Sequence, residues 1–458
     1  DRSLQVRGGT GIFTGRVPTV WIVAQSGDAG LLQFTQAFSG QENTPGPFNP
    51  DKYAYLPDTP PAAGTAIPST ISAVHPDFKF PQTWKSNIAV DARLPFNFVG
   101  SLEVIYNNDL NVALGRNANL VAPQELNVPG YPDNRPIYPA ANNQKFINYL
   151  DNAGQANTPG GNGALNAIYL DNTKGGHYWS VTAKLEKQFG QNFSGFVAYT
   201  QSQSKVPYDG SGDQLLNTWS LTPIVREANN PELSYASFVV PSRVVAGLTF
   251  RKEYLQHLGT SLSVFFEGSI QGRFSYTYSA DFNRDGQTND LIYVPRNASE
   301  ITFVDHNYGS AQNPNIVTAE EQSEIFFRYI EQDDYLRKRK GQYAERNGAK
   351  LPWRNQVDIK FIQDIFTNIG DKRNTLQFTI DIFNFGNLLN KQWGAFDLVN
   401  ASSLLVPTNV SALSPDGGVT PTFRLQTDRG KPVSETFRDN NSITSTYYMQ
   451  FGLRYIFN

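Results

Sequence analysis

From Ser445 to Phe457 every second residue is large and apolar or aromatic: Tyr447, Met449, Phe451, Leu453, Tyr455 and Phe457. Thr446, Tyr448, Gln450, Gly452, Arg454 and Ile456 alternate with them. A period of two is the period of a strand, so one face of this segment is greasy and the other mostly polar. A strand of this length, with an aromatic at each end of its apolar row, suits a stave that turns its apolar side to lipid and its polar side to a barrel lumen. Barrels of that kind close on their final strand, which gives the position of this one, at the end of the chain, its interest.

Composition decides between the two ways of crossing a membrane. No stretch of the 458 residues approaches the run of ~18 apolar residues that a spanning helix requires. A barrel is compatible with the modest 39% hydrophobic share, because only alternate residues of each strand meet lipid. The 31 Phe, 22 Tyr and 6 Trp supply the aromatics that two membrane interfaces need. Cysteine is absent, so there is no disulfide framework and no thiolate metal site. A net charge of -3 gives no reason to expect nucleic acid as a partner. The opening DRSLQVRGGTG lacks the basic and apolar regions of an export signal, so residue 1 is expected not to be the biological start.

The same alternation recurs along the chain. Apolar rows run through Trp84, Ile88, Val90, Ala92 and Leu94; Leu102, Val104 and Tyr106; Trp179, Val181, Ala183 and Leu185; and Phe193, Val197 and Tyr199. They continue in Val244, Ala246, Leu248 and Phe250; Leu262, Val264, Phe266 and Ile270; Val357, Ile359 and Phe361; and Leu376, Phe378, Ile380 and Ile382. Residues 3–13 and 18–25 are candidates for two further staves. Connections alternate as well: PFNFVG, FGQN, YLQHLG and TNIGDKRN are short, whereas 26–83, 107–176, 203–240, 279–352 and 386–444 are long. Counted back from a final strand that ends in the periplasm, every short turn falls on the periplasmic side and every long loop is extracellular. Trp84, Trp179 and Trp353 each begin a strand that runs inward from the long-loop side, in phase with its apolar row, while Phe96, Phe189, Phe366 and Phe457 mark the opposite level. A soluble β-sandwich also alternates, but it needs neither regular loop alternation nor two aromatic levels.

One segment reads as helical. Thr318 precedes AEEQSEIFFRYIEQDD with Glu321 three residues on, a capping box, and Ile325, Tyr329 and Ile330 share a face. The basic run Arg337 to Lys340 reads as the solvated end of that helix.

Chemistry is sparse. His75, His177, His257 and His306 are scattered without metal-ligand spacing. No nucleophile elbow or phosphate loop is present, and the glycines of GGTGIFTG suggest a bend or bulge in a strand. No catalytic residue is named and the chain is not expected to be an enzyme. The metal candidates are Asp281, Asn283 and Asp285, followed by Gly286, which match the first half of a calcium loop; Ile292 stands where that loop places its bidentate Glu. The competing reading is a cluster of Asx turns whose side chains bond the local backbone. Asp91, Arg93, Glu103, Lys184, Glu186, Asp358, Lys360, Asp381 and Arg454 are placed on the inner face, where most are expected to pair with each other, water or a plug.

Five segments together resemble one family: VRGGTGIFTGRVPTVWIVAQ at the start, DFNRDGQTNDLIYVP at 281–295, YLRKRKGQYAERNGAKLPWRNQVDIKFIQD, DIFNFGNLLNKQWG at 381–394, and MQFGLRYIFN at the end. The set is similar to the C-terminal half of an Oar-like, SusC-related TonB-dependent outer-membrane receptor. The resemblance implies a barrel of about 22 strands, occluded by a plug that follows a TonB box. The fold expected is therefore all-β, a transmembrane antiparallel barrel with long extracellular loops and one loop helix. Residues 1–458 would form the C-terminal part, with about 8–10 strands, and the plug and N-terminal strands would lie on polypeptide upstream of Asp1. One departure is the terminal segment, where the family often carries Ser-Arg-Trp and this chain has Ser445, Thr446 and Tyr447.

The function this implies is import of a bulky nutrient (glycan, peptide or chelate) across a Gram-negative outer membrane. Partners would be outer-membrane lipid, TonB through the absent N-terminal region, the missing barrel and plug polypeptide, and a surface lipoprotein; the only cofactor considered is a structural Ca2+. Two other readings use the same strands: a passive porin, and a surface adhesion or assembly barrel.

Overall fold

The computed structural model describes residues 3–27, 46–56, 59, 62, 67–209, 212–370, 372–415 and 418–457. Ten long strands dominate it: β1 Leu4–Thr14, β2 Gln82–Leu94, β3 Phe98–Asn117, β4 His177–Phe189, β5 Phe193–Val206, β6 Ser242–Tyr254, β7 Leu258–Ile270, β8 Trp353–Ile369, β9 Lys372–Phe383 and β10 Tyr448–Phe457. They pair antiparallel in strict chain order, from β1 to β10. Their lengths meet the requirement of about 9–11 residues for a tilted transmembrane strand. Among the described residues no helix is long and apolar enough to cross a membrane.

Register turns ten separate alternations into one surface. Phe189 pairs with Phe193, Phe193 with Phe250, Phe250 with Leu262, Leu262 with Phe361, Phe361 with Ile380 and Ile380 with Phe451. On the other side of the sheet centre Val6 pairs with Val90, Val90 with Leu102, Leu102 with Ala183 and Ala183 with Tyr199. Directly paired residues project to the same face, so every predicted apolar row lies on one side of the sheet. That side is exposed: Leu102, Leu248, Leu262, Phe451 and Leu453 all stand open.

The long and short connections alternate without exception. β2–β3, β4–β5, β6–β7 and β8–β9 are joined by tight turns at one end, and the five remaining connections are long and gather at the other. Hydrophobic burial is concentrated in those long connections. One cluster joins Leu126, Ile137, Tyr276, Phe282, Phe326 and Leu425, and a second joins Trp21, Ala113, Leu170 and Trp219. The molecule is thus a wall of strands with an apolar exterior, carrying a separate folded layer on one end.

Three expectations need correction. Residues 18–25 are not a stave: Thr19–Gly27 is helix α1, held by Trp21, which is buried beside Tyr208. The layer holds more than one helix: besides α1 there are Asn142–Lys145 (α2), Leu215–Ser220 (α3), Ala319–Gln332 (α4) and Phe385–Leu389 (α5). The glycines of β1 make no bulge, since β1 pairs with β2 without a register shift. Gly8 instead permits close approach, because a Cβ there would meet the Asn87 carbonyl oxygen at 2.8 Å.

Helix α4 begins as its sequence predicts. Thr318 accepts from the Glu321 amide at 3.2 Å and Glu321 accepts from the Thr318 amide at 2.9 Å, closing the capping box. Its fully buried face is Gln322, Phe326, Tyr329 and Ile330; Ile325 packs at the margin.

Strand β3 links the two parts. Phe98–Asn108 pair with β4 in the wall, and Val112–Asn117 change partner to the short strand Asn166–Thr173 above it. Alternation ends at this change, and Ala113 and Leu114 are buried consecutively because both faces are now covered.

Candidate functional site

The apolar face and the two levels that bound it form the larger site. Trp84, Trp179 and Trp353 open β2, β4 and β8 at the long-connection end, and each indole N–H finds an acceptor within the sheet. Trp84 donates to Thr10 Oγ1 at 2.7 Å, Trp179 to Gln203 Oε1 at 3.2 Å and Trp353 to Asn355 Oδ1 at 2.8 Å. A ring with an apolar body and a satisfied polar edge is suited to a membrane interface. At the short-turn end Phe189, Phe193 and Phe250 adjoin, with 4.8 Å between the last two ring centroids. Phe366 lies at the same end but on the opposite face. It lies one residue out of phase with the apolar row of β8 and stacks under Arg373, whose guanidinium is 3.6 Å from the ring centroid.

The opposite face is polar and largely self-paired. Arg7 reaches Asp91 at 3.0 Å and Glu103 at 3.4 Å, and Lys360 reaches Asp381 at 2.8 Å. Lys184 pairs with Glu186, and Asp358 accepts from the Asn384 amide at 2.8 Å. Ladder neighbours Thr182 and Thr200 share a hydrogen bond of 2.9 Å. A continuous polar lining opposed to a continuous apolar face is the division that lipid outside and water or protein inside impose.

The second site is the loop from Asp281 to Asp290, which lies in the folded layer. Asp281, Asn283 and Asp285 are brought together, and each bonds the backbone of its own loop. Asp281 Oδ2 accepts from the Gly286 amide, Asn283 Oδ1 from the Asp285 amide and Asp285 Oδ1 from the Gln287 amide, all at 2.8 Å. Arg284 and Gly286 take positive φ values of 62° and 100°, which fold the loop tightly enough for these bonds. Asp281 Oδ1 is buried with no hydrogen-bond partner, and Asp285 Oδ2 meets only Asn283 Nδ2 at 3.4 Å. Those are two oxygens, against about six to eight around calcium. Among the described residues no three His, Cys, Asp or Glu side chains converge to hold a metal ion.

Asp290 does what the spacing of the motif could not reveal. Its Oδ2 accepts from the amides of Phe282 and Asn283 at 2.8 and 3.2 Å, and its Oδ1 meets Arg135 at 3.2 Å. Arg135 also pairs with Asp133 at 2.9 Å and donates to the Leu291 carbonyl at 2.7 Å. It is wholly buried, against the stacked pair of Tyr278 and Phe282, 5.1 and 5.0 Å from their ring centroids. Burial acts to lower its proton affinity, but Asp133 and Asp290 outweigh that and raise it. Burial pushes the Asp290 carboxyl up to about 7, with Arg135 pulling the other way. Asp285 is driven well above the usual carboxylate range by burial and by Asp290 and Asp281 beside it. Lys145, buried nearby, is lowered by burial and held up by Asp281 and Asp285. Sequence reasoning missed Arg135, since its partner is 155 residues away in another connection.

A sheet of this construction, with a lipid-facing exterior, a polar lining and alternating connections, defines a membrane-spanning β-barrel protein. The model of the family described as "Outer membrane beta barrel domain" matches residues 2–402, and the chain belongs to that family. It is accordingly an outer-membrane protein. Among curated proteins none matches the chain.

Proposed function

We propose that this chain is the C-terminal wall of an Oar-like, SusC-related TonB-dependent transporter that imports a bulky nutrient. The observation that carries the reading is the pair of free edges. Among the described residues β1 pairs only with β2 and β10 only with β9. Unpaired backbone N–H and C=O groups are not tolerated in hydrocarbon, so a membrane wall with two free edges calls for further strands. A barrel of more than ten strands encloses a lumen too wide for side chains to fill. A plug would close it, and TonB, engaged through the region outside these residues, would move the plug. The self-paired charges of the inner face are compatible with a surface that contacts such a plug more than it binds cargo.

In this reading the long connections face the medium and the strands end in the periplasm. The folded layer would then receive cargo, with or without a surface lipoprotein over it. Single-channel recording on the full-length protein in planar bilayers tests the reading. A plugged transporter gives almost no steady current until the plug is displaced. A steady open current in the resting protein would make it a porin instead.

A further inference from the structure

Above the wall, the chain beyond β7 and before β8 pairs again over two residues, with Arg273 opposite Lys350 and Phe274 opposite Ala349. Like charges placed directly across a ladder repel, so this pair is destabilising unless a negative group comes between or beside it. Lys338, at the end of the short turn Leu336–Lys338 that follows α4, brings a third cation. Burial lowers the proton affinity of Lys350, and Arg273 and Lys338 lower it further. The neighbours of Lys338 are all committed: Arg337 to Asp334 at 2.7 Å, Arg339 to Glu345 at 3.5 Å and Lys340 to Glu331. Among the described residues Lys338 and Lys350 form no ion pair, and Arg273 spends its guanidinium on the Asn347 carbonyl and the Tyr235 ring.

Lys338 and Lys350 line a cleft of about 720 Å³, whose apolar lining includes Ile270, Leu351 and Trp353. Ile270 and Trp353 are ladder partners on the lipid-facing side of the wall, and Trp353 is 41% exposed. The acids of the cleft are mostly occupied. Asp333 accepts from the Tyr276 and Thr436 hydroxyls at 2.6 and 3.0 Å and from the Tyr335 and Leu336 amides, and Asp334 holds Arg337. Glu435 is the remaining carboxylate, and it is exposed.

We propose that this cleft binds the phosphorylated headgroup of a membrane lipid, its phosphate between Lys338 and Lys350 and its chains along Ile270 and Trp353. The placement favours a lipid over a free anion. An inorganic anion gains nothing from the apolar lining, whereas a lipid phosphate lies at the height where cations follow the aromatic belt. The inference rests on the wall facing lipid and is independent of transport.

Native mass spectrometry of the full-length protein from mixed micelles tests it, using lipid A as a phosphorylated glycolipid and its dephosphorylated form as the comparison. The wild type should retain the phosphorylated lipid preferentially. Lys338→Gln with Lys350→Gln should weaken retention about thirtyfold, each single change about fivefold, and Lys431→Gln elsewhere in the layer should leave it unchanged. Heat-modifiable migration of the single variants verifies that they fold. Equal retention by wild type and double variant, or of both lipid forms, would overturn the proposal; so would displacement of the lipid by inorganic phosphate. Retained lipid in a protein that conducts steadily would uphold the cleft and remove the transporter.

Discussion

The wall and the layer above it are built on opposite plans from one chain. The wall exposes its apolar residues and keeps its polar ones inward, so its stability outside lipid rests on backbone ladders and little on burial. The layer has an ordinary interior, in which Tyr276, Phe282, Phe326 and Leu425 are almost wholly enclosed and the buried guanidiniums of Arg135, Arg284 and Arg346 tie distant connections together. What this teaches is where damage should travel: a change in one region should leave the other standing.

The largest test of that separation is Arg135→Ala. It abandons Asp133 and Asp290 as buried carboxylates and should cost about 3–5 kcal/mol. Limited proteolysis should then cut the long connections while heat-modifiable migration of the barrel survives; loss of both together would mean that the two regions are one cooperative unit. Phe451→Lys attacks the wall instead. A cation on the lipid face near mid-membrane should cost about 2–4 kcal/mol and lower the yield of assembled protein, and unchanged yield would refute the assigned face.

The third test is a pH profile of the layer. Asp281, Asp285 and Asp290 have folded-state values raised above that of a free carboxyl. Groups raised in this way add stability that is full below about pH 4 and is lost as pH rises through the folded value, about 7 for Asp290. The loss is on the order of 1 kcal/mol per pH unit for each group in its window. Proteolytic stability of the layer in Asp285→Asn should therefore fall less steeply between acid and neutral pH than in the wild type. An identical slope in both proteins would remove Asp285 from the account. Smaller still, Thr318→Ala breaks the capping box of α4 and should cost about 1 kcal/mol, read as earlier cleavage within 318–332.

The wall was legible in the sequence and the layer mostly was not, for a physical reason. A lipid-facing strand repeats one requirement at every second residue, so rows such as Leu376, Phe378, Ile380 and Ile382 announce themselves locally. The layer is held by contacts between connections, as in Arg135 with Asp290, and no local period records them. Its strands are often pairs of residues, such as Thr277–Tyr278 and Thr302–Phe303, too short to alternate. The α4 capping box was visible because it is local chemistry. Helix α1 was misread because Thr19, Val20, Ile22 and Val23 favour a strand by propensity, and the burial of Trp21 against Tyr208 overrides that preference. In the candidate loop, the Asx turns of Asp281, Asn283 and Asp285 were foreseen as one reading. The anchoring role of Asp290 required a partner the sequence does not place beside it.

The central claim is that one face of the ten-strand sheet meets lipid and the other does not. The chain has no cysteine, so single labels can be placed freely. Leu262→Cys and Ser263→Cys, adjacent in β7, put a fluorophore on opposite faces of the same strand. In bilayers containing brominated lipid, the label at position 262 should be strongly quenched and the label at 263 should not. Equal quenching at both positions, or quenching at 263 alone, would contradict the account.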